Sequence, residues 1–193
     1  MAFNDETAQT LHRHVIVWLD KYIGEPGDNE PMKERFRRVT NPIQTFVDID
    51  STIDFIRQQQ DAEKCVFLIV SGKLGREIVP QIFNFECVAQ IFIFCGNIIK
   101  HSSWSEPYRS KLQLFDSDEL LLIELTNQIA NHLTEEANRH KQQGQPNLAR
   151  GLLEWADHLY NDADTLQHEG CRRIRADIRR KLQHLGVDHH GAN

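Results

Sequence analysis

Apolar positions along the first two thirds of the chain gather in short blocks separated by polar corners. The clearest block runs from Cys65 to Pro80 and reads C-V-F-L-I-V-S-G-K-L-G-R-E-I-V-P. Cys65 to Val70 is an unbroken apolar run rich in β-branched and aromatic residues. Such a run suits a strand covered on both faces, as in the middle of a parallel sheet. Ser71-Gly72 interrupts it, and Gly75 permits a tight turn. From Leu74 the apolar positions step to Ile78 and Ile82, one face of a helix. The block predicts a strand, a polar corner and a helix, the half-unit of an open α/β sheet.

The same pattern recurs on either side. Val15 to Leu19 predicts a first strand ending at Asp20, with His12 and His14 ahead of it. Gly24 to Pro31 is rich in breakers and predicts a loop. A short helix follows from about Pro31, with Phe36 and Val39 as its apolar contacts, and Asn41-Pro42 ends it. Ile43 to Val47 has mixed polarity, as expected of a short second strand nearer a sheet edge. Asp48-Ile-Asp-Ser51 caps a helix carrying Ile53 and Ile56. Val88 to Phe94 predicts a fourth strand, turned by Cys95-Gly-Asn97. His101 to Tyr108 reads as a weak helix or an ordered loop, and Leu112 to Phe115 as a fifth strand. Strand and helix repeated about five times predict an α/β fold, a flavodoxin-like doubly wound parallel sheet in the order 2-1-3-4-5. The first and third strands are among the most apolar, which agrees with their central places.

From Leu120 the pattern is helical throughout. Asp116-Ser-Asp-Glu119 supplies an acidic cap. Leu121, Leu125, Ile129 and Leu133 step by four, and Gly144-Gln-Pro146 breaks the run. A second helix carries Leu148, Leu152, Trp155, Leu159 and Leu166. A third, from about Cys171 to Leu185, holds Ile174, Ile178 and Leu182 beside Arg172, Arg173, Arg175, Arg179 and Arg180. Arginines interleaved with Asp177 and an apolar stripe read as the solvated face of an amphipathic helix. The expected organisation is an α/β domain over 1–117, a helical hairpin or small bundle over 118–187 and a disordered tail over 188–193.

A length of 193 residues allows one full domain plus a smaller appendage. The net charge of −6 makes nucleic acid an unlikely partner class. No apolar run approaches the roughly 18–20 residues of a membrane span, and the N-terminal residues form no apolar signal core. Cys65, Cys87, Cys95 and Cys171 make no C-x-x-C pair. Cys65 and Cys95 lie in or beside predicted core strands, where free cysteine behaves as a small hydrophobe. The expected compartment is reducing and cytoplasmic.

In an open parallel sheet, ligands bind outside the carboxyl ends of the strands. There the sequence places Asp20, Asp48, Asp50, Ser71, Gly72, Lys73, Gly96, Asn97 and Asp116. Caps and turns require the same residue types, so each has a purely local reading as well. Phosphoacceptor receiver domains need paired acids after the first strand, an Asp after the third, Ser or Thr after the fourth and Lys after the fifth. Here those corners carry Asp20 alone, Ser71, Cys95-Gly96 and Asp116, so that phosphotransfer is not expected. The Ser71 corner lacks both the Walker spacing and a G-x-S-x-G elbow. The ten histidines are scattered, His189 and His190 in the tail among them, and no metal site is expected.

Strand, serine and a helix bearing Glu77 resemble the arrangement in TIR domains, where a helix glutamate acts in NAD cleavage. Gly75-Arg76 stands where those domains carry Trp-Cys. The resemblance makes Glu77 a candidate catalytic residue and NAD, or another nucleotide, a candidate ligand. More broadly, V-W-L-D, F-R-R-V-T-N-P, F-V-D-I-D-S, F-L-I-V-S-G-K-L-G-R-E-I-V-P-Q-I, I-F-I-F-C and His101 to Tyr108, between Val15 and Phe115, resemble an invertebrate module found ahead of ADP-ribosyltransferase or tetratricopeptide-repeat regions. That resemblance implies the flavodoxin-like fold and a signalling context. It implies no transferase activity, since the chain has no E-x-E. Ala137 to Gly144 with Leu152 to Ala156 resembles a single tetratricopeptide unit, which cannot bury its faces alone. The expected function is a non-enzymatic signalling or interaction module with a degenerate ligand site and no cofactor. Its expected partner is a protein or a second copy, held through the C-terminal helices. The alternative is an NAD-cleaving enzyme or nucleotide sensor using the strand-end crevice.

Overall fold

The computed structural model describes residues 13–22, 36, 43–166, 176 and 178–183. Strand β1 (His14–Leu19) is buried at every position, and β3 (Cys65–Ser71) at all but its two ends. The sheet explains why. Its five strands, with β2 at Ile43–Phe46, β4 at Val88–Phe94 and β5 at Leu112–Phe115, lie in the order β2-β1-β3-β4-β5. Every neighbouring pair is parallel. β1 and β3 run side by side from His14 opposite Cys65 to Leu19 opposite Val70. Both have a strand on each flank, which is where a continuous apolar run belongs. β2 is marginal and leaves Gln44 and Thr45 exposed.

Side-chain alternation then sorts the core into two layers. Val15, Val17, Leu19, Val66, Leu68 and Val70 face helices α1 (Ile49–Asp61) and α2 (Gly72–Ile82), which contribute Ile53, Ile56, Ile78, Val79 and Ile82. Ile16, Trp18, Phe67, Ile69 and Phe92 are buried outside that layer, and Trp18 meets Phe36 at 5.0 Å. In β4 the register slips by one residue, since Val66 faces Val88 but Phe67 faces Gln90. The bulge lets Val88 and Ile91, three apart, share a layer.

His14 belongs to β1 and is buried, its ring edge-on to Phe67 at 6.3 Å, rather than preceding the strand. The segment after β4 forms helix α3 (Ile99–Ser105) and a 3-10 turn (Glu106–Tyr108). Two long helices follow, α4 (Asp118–Gln142) and α5 (Pro146–Leu166). The chain divides into two compact units, one covering His12–Leu122 and the other holding the helices from Ile123 onward. In the second, Leu125, Ile129, Leu133, Leu152 and Leu159 are buried, and the Tyr160 hydroxyl donates to Asn131 Oδ1 at 2.6 Å. Residues 178–183 are helical, with Ile178 buried. The Gly24–Pro31 loop, Val39, Cys171 with its neighbouring arginines, and the tail at 188–193 lie outside the described residues.

Candidate ligand-binding site

Three of the five strand-end corners use their polar residues locally. After β1, the Asp20 N–H donates to the Phe46 carbonyl at 3.0 Å, and Asp20 Oδ1 accepts from the Tyr22 N–H at 2.9 Å. This closes a side-chain turn that ties the end of β1 to β2. After β2, Asp48 Oδ1 accepts from the Ser51 N–H at 2.8 Å, and the Asp48 carbonyl accepts from the Thr52 hydroxyl at 2.6 Å. Asp48 is thus the N-cap of α1, and the bonds from Ser51 hold its carboxyl below the usual range. Asp50 stands in the first turn of the same helix. After β4, Gly96 is exposed with open space around it, and Asn97 Oδ1 accepts from the Lys100 N–H at 3.2 Å at the start of α3. Asp116, after β5, is exposed.

The corner after β3 is built differently. Ser71 is half-buried and its side chain makes no capping bond. Helix α2 opens with Gly72, and Gly75 follows one turn later, which leaves a strip of helix without side chains. α3 lies along that strip. A β-carbon at Gly72 would fall 2.6 Å from His101 Cε1 and Nε2 and 2.9 Å from Cys95 Cβ. One at Gly75 would fall 2.6 Å from Ile93 Cδ1 and 3.6 Å from Trp104 Cη2. Both pairs, Gly72 with Gly75 and His101 with Trp104, have the i, i+3 spacing of one helix face. The Trp104 Nε1–H donates to His101 Nδ1 at 3.0 Å, a bond that uses the Nδ1 lone pair and leaves Nε2 as the ring's donor position. From Trp104 the aromatic contacts continue to Tyr108 at 6.5 Å and on to Phe83 at 5.1 Å. This row fastens α3 and the 3-10 turn to α2.

A cavity of about 320 Å³ opens beside this junction, lined by Gly72, Lys73, Arg76, Glu77, Lys100, His101 and Trp104. Its size is at the small end of known ligand sites, which run from roughly 300 to 1,000 Å³. Lys73, Arg76 and Glu77 stand on one face of α2, and Lys100 comes across from α3. All four are solvent-exposed and, among the described residues, none of these side chains makes an ion pair or hydrogen bond. Elsewhere on the same unit, Arg57 is paired with Asp54 at 3.2 Å and Arg109 with Glu106 at 2.9 Å. The first turn of α2 adds backbone N–H groups and the positive end of its dipole. Close by, burial pushes the Cys95 thiol up in pKa; a bond from the Asn97 backbone opposes this and the Asp116 carboxylate adds to it. A thiol raised in this way is a poor nucleophile.

Of the residues nominated from the sequence, Gly72, Lys73 and Glu77 come together at this cavity. Asp20, Asp48, Ser71, Gly96 and Asn97 do not line it. The cavity therefore sits over β3 and β4, one strand away from the β1–β3 switch point where open α/β sheets usually bind. Arg76, Lys100, His101 and Trp104 complete the lining; Arg76 lies in the S-G-K-L-G-R-E string and His101 and Trp104 in the His101–Tyr108 stretch, but no motif marks any of the four as ligand-binding. The signal that points to them is the matched spacing of two helical glycines and two aromatic rings. Among the described residues, no group of three or more His, Cys, Asp or Glu is placed to hold a metal ion, and no helix is long and apolar enough to cross a membrane. Leu152 and Leu159, on the helices expected to meet a partner, are already covered within the single chain.

Comparison with protein-family models, with curated proteins and with solved structures returned no match to this chain.

Proposed function

We propose that the α/β unit is a regulatory binding module that takes a small phosphorylated ligand at the carboxyl ends of β3 and β4. The observation that supports this reading is the set of charges left uncommitted around one cavity. Lys73, Arg76 and Lys100 line the cavity beside the first turn of α2, solvent-exposed and with no internal partner among the described residues. Side chains of this kind, together with helix N–H groups, suit a phosphate. Two nearby groups are ill suited to nucleophilic chemistry: His101 Nδ1 is occupied by Trp104, and burial raises the pKa of the Cys95 thiol.

The test is thermal unfolding against a panel of phosphorylated small molecules. A ligand at a hundred times its dissociation constant stabilises by about 2.7 kcal/mol, enough for a clear rise in Tm. Lys73→Ala combined with Lys100→Ala is expected to abolish that rise. No rise with any member of the panel overturns the reading. The NAD-cleaving alternative draws support from Glu77, which lines the same cavity. Incubation with NAD and chromatography of the products decides it, with Glu77→Gln as control. No turnover is expected; turnover that depends on Glu77 would replace binding with catalysis.

A further inference from the structure

We infer that the ligand is a small hydroxylated phosphate monoester, of the size of a pentose phosphate, and that Glu77 reads its hydroxyl groups. This rests on the reading of the crevice as a phosphate site. A site for inorganic phosphate alone would have no use for a carboxylate, which repels the anion. Yet Glu77 stands on the same helix face as Lys73 and Arg76 and, among the described residues, is paired with neither. An ionised carboxylate only accepts hydrogen bonds. Glu77 is solvent-exposed, and a ligand group that meets it must be a donor, a hydroxyl or an ammonium.

Charge separates those two. Lys73, Arg76 and Lys100 against the Glu77 carboxylate leave an excess of two positive charges. A phosphate monoester carries about −1.5 to −2 at neutral pH. Neutral hydroxyls keep that balance, whereas an ammonium would undo it. A space of about 320 Å³ holds one sugar and one phosphate within its walls. The Lys73 and Lys100 side chains reach from two helices and take the phosphate. Glu77, one turn into α2 from Lys73, takes the hydroxyls.

Isothermal titration of the full chain with ribose 5-phosphate, ribose, inorganic phosphate, AMP and NAD tests this. Ribose 5-phosphate is expected to bind about tenfold or more tightly than inorganic phosphate, the worth of a hydrogen bond to a charged acceptor. Glu77→Ala is expected to bring the ratio of the two affinities close to one. Ribose alone is expected not to bind. AMP binding as well as ribose 5-phosphate identifies a mononucleotide as the source of the same chemistry. Equal affinities in the unaltered chain, a preference that survives Glu77→Ala, or NAD binding best overturns the inference and leaves the phosphate site standing. Absence of binding by every phosphate, with Lys73→Ala/Lys100→Ala indistinguishable from the unaltered chain, overturns the phosphate site and this inference with it.

Discussion

The imidazole of His101 occupies the space that a side chain on residue 72 would need. A β-carbon at Gly72 would lie 2.6 Å from both Cε1 and Nε2 of that ring. The absence of a side chain at one position thus seats α3 on α2 and shapes the cavity between them.

Gly72→Ala follows from this contact. The added methyl meets His101, which can rotate, and Cys95 Cβ at 2.9 Å, which is anchored to the end of β4 and cannot. Overpacking of this kind costs about 1–3 kcal/mol. Urea unfolding is expected to show a lower midpoint with an unchanged slope. His101→Ala in the same chain is expected to recover part of the loss, with a coupling of at least about 0.5 kcal/mol in a double-mutant cycle. Strictly additive effects would show that the ring does not occupy that space.

Gly75→Ala inverts an ordinary expectation. In a helix interior the change normally stabilises by about 1 kcal/mol. Here the methyl would lie 2.6 Å from Ile93 Cδ1 in a fully buried layer. Net destabilisation is expected in urea unfolding. Ile93→Val removes the offending Cδ1, so Gly75→Ala made in that background is expected to be neutral or stabilising. Destabilisation of equal size in both backgrounds would contradict the contact.

In the helices after Ile123, burial lowers the pKa of His132 from its ordinary 6.5, while the carboxylates of Glu136 and Glu135 pull it back up and Arg139 adds to the lowering. The unfolded chain takes up a proton near 6.5 that the folded chain resists. The contribution of His132 to stability is therefore fully present above pH 6.5 and declines as the pH falls toward its lower folded value. Urea midpoints measured from pH 7.5 to 5.5 are expected to fall less in His132→Gln than in the unaltered chain. An identical pH slope in the two proteins would contradict the assignment.

Where burial dictates the pattern, the elements can be read from the residues. β4 spans Val88–Phe94, the limits of its apolar run, and β5 spans Leu112–Phe115. α2 starts at Gly72, two residues before Leu74, because glycine and lysine carry no apolar periodicity to mark a first turn. The site is less legible. Asp20 and Asp48 look alike as ligands or caps, and only their bonds from Tyr22 and Ser51 decide. Lys100, His101 and Trp104 reach Lys73 and Glu77 across a strand and a crossover, which no local pattern records.

The central claim is that the cavity between α2 and α3 holds a phosphorylated ligand. Amide chemical-shift mapping during titration with ribose 5-phosphate tests it most directly. Shifts confined to Gly72, Lys73, Arg76, Glu77, Lys100, His101 and Trp104, saturating with one dissociation constant and lost in Lys73→Ala/Lys100→Ala, are the expected result. No shifts at saturating ligand, or shifts centred on the corners of Asp20 and Asp48, would contradict it.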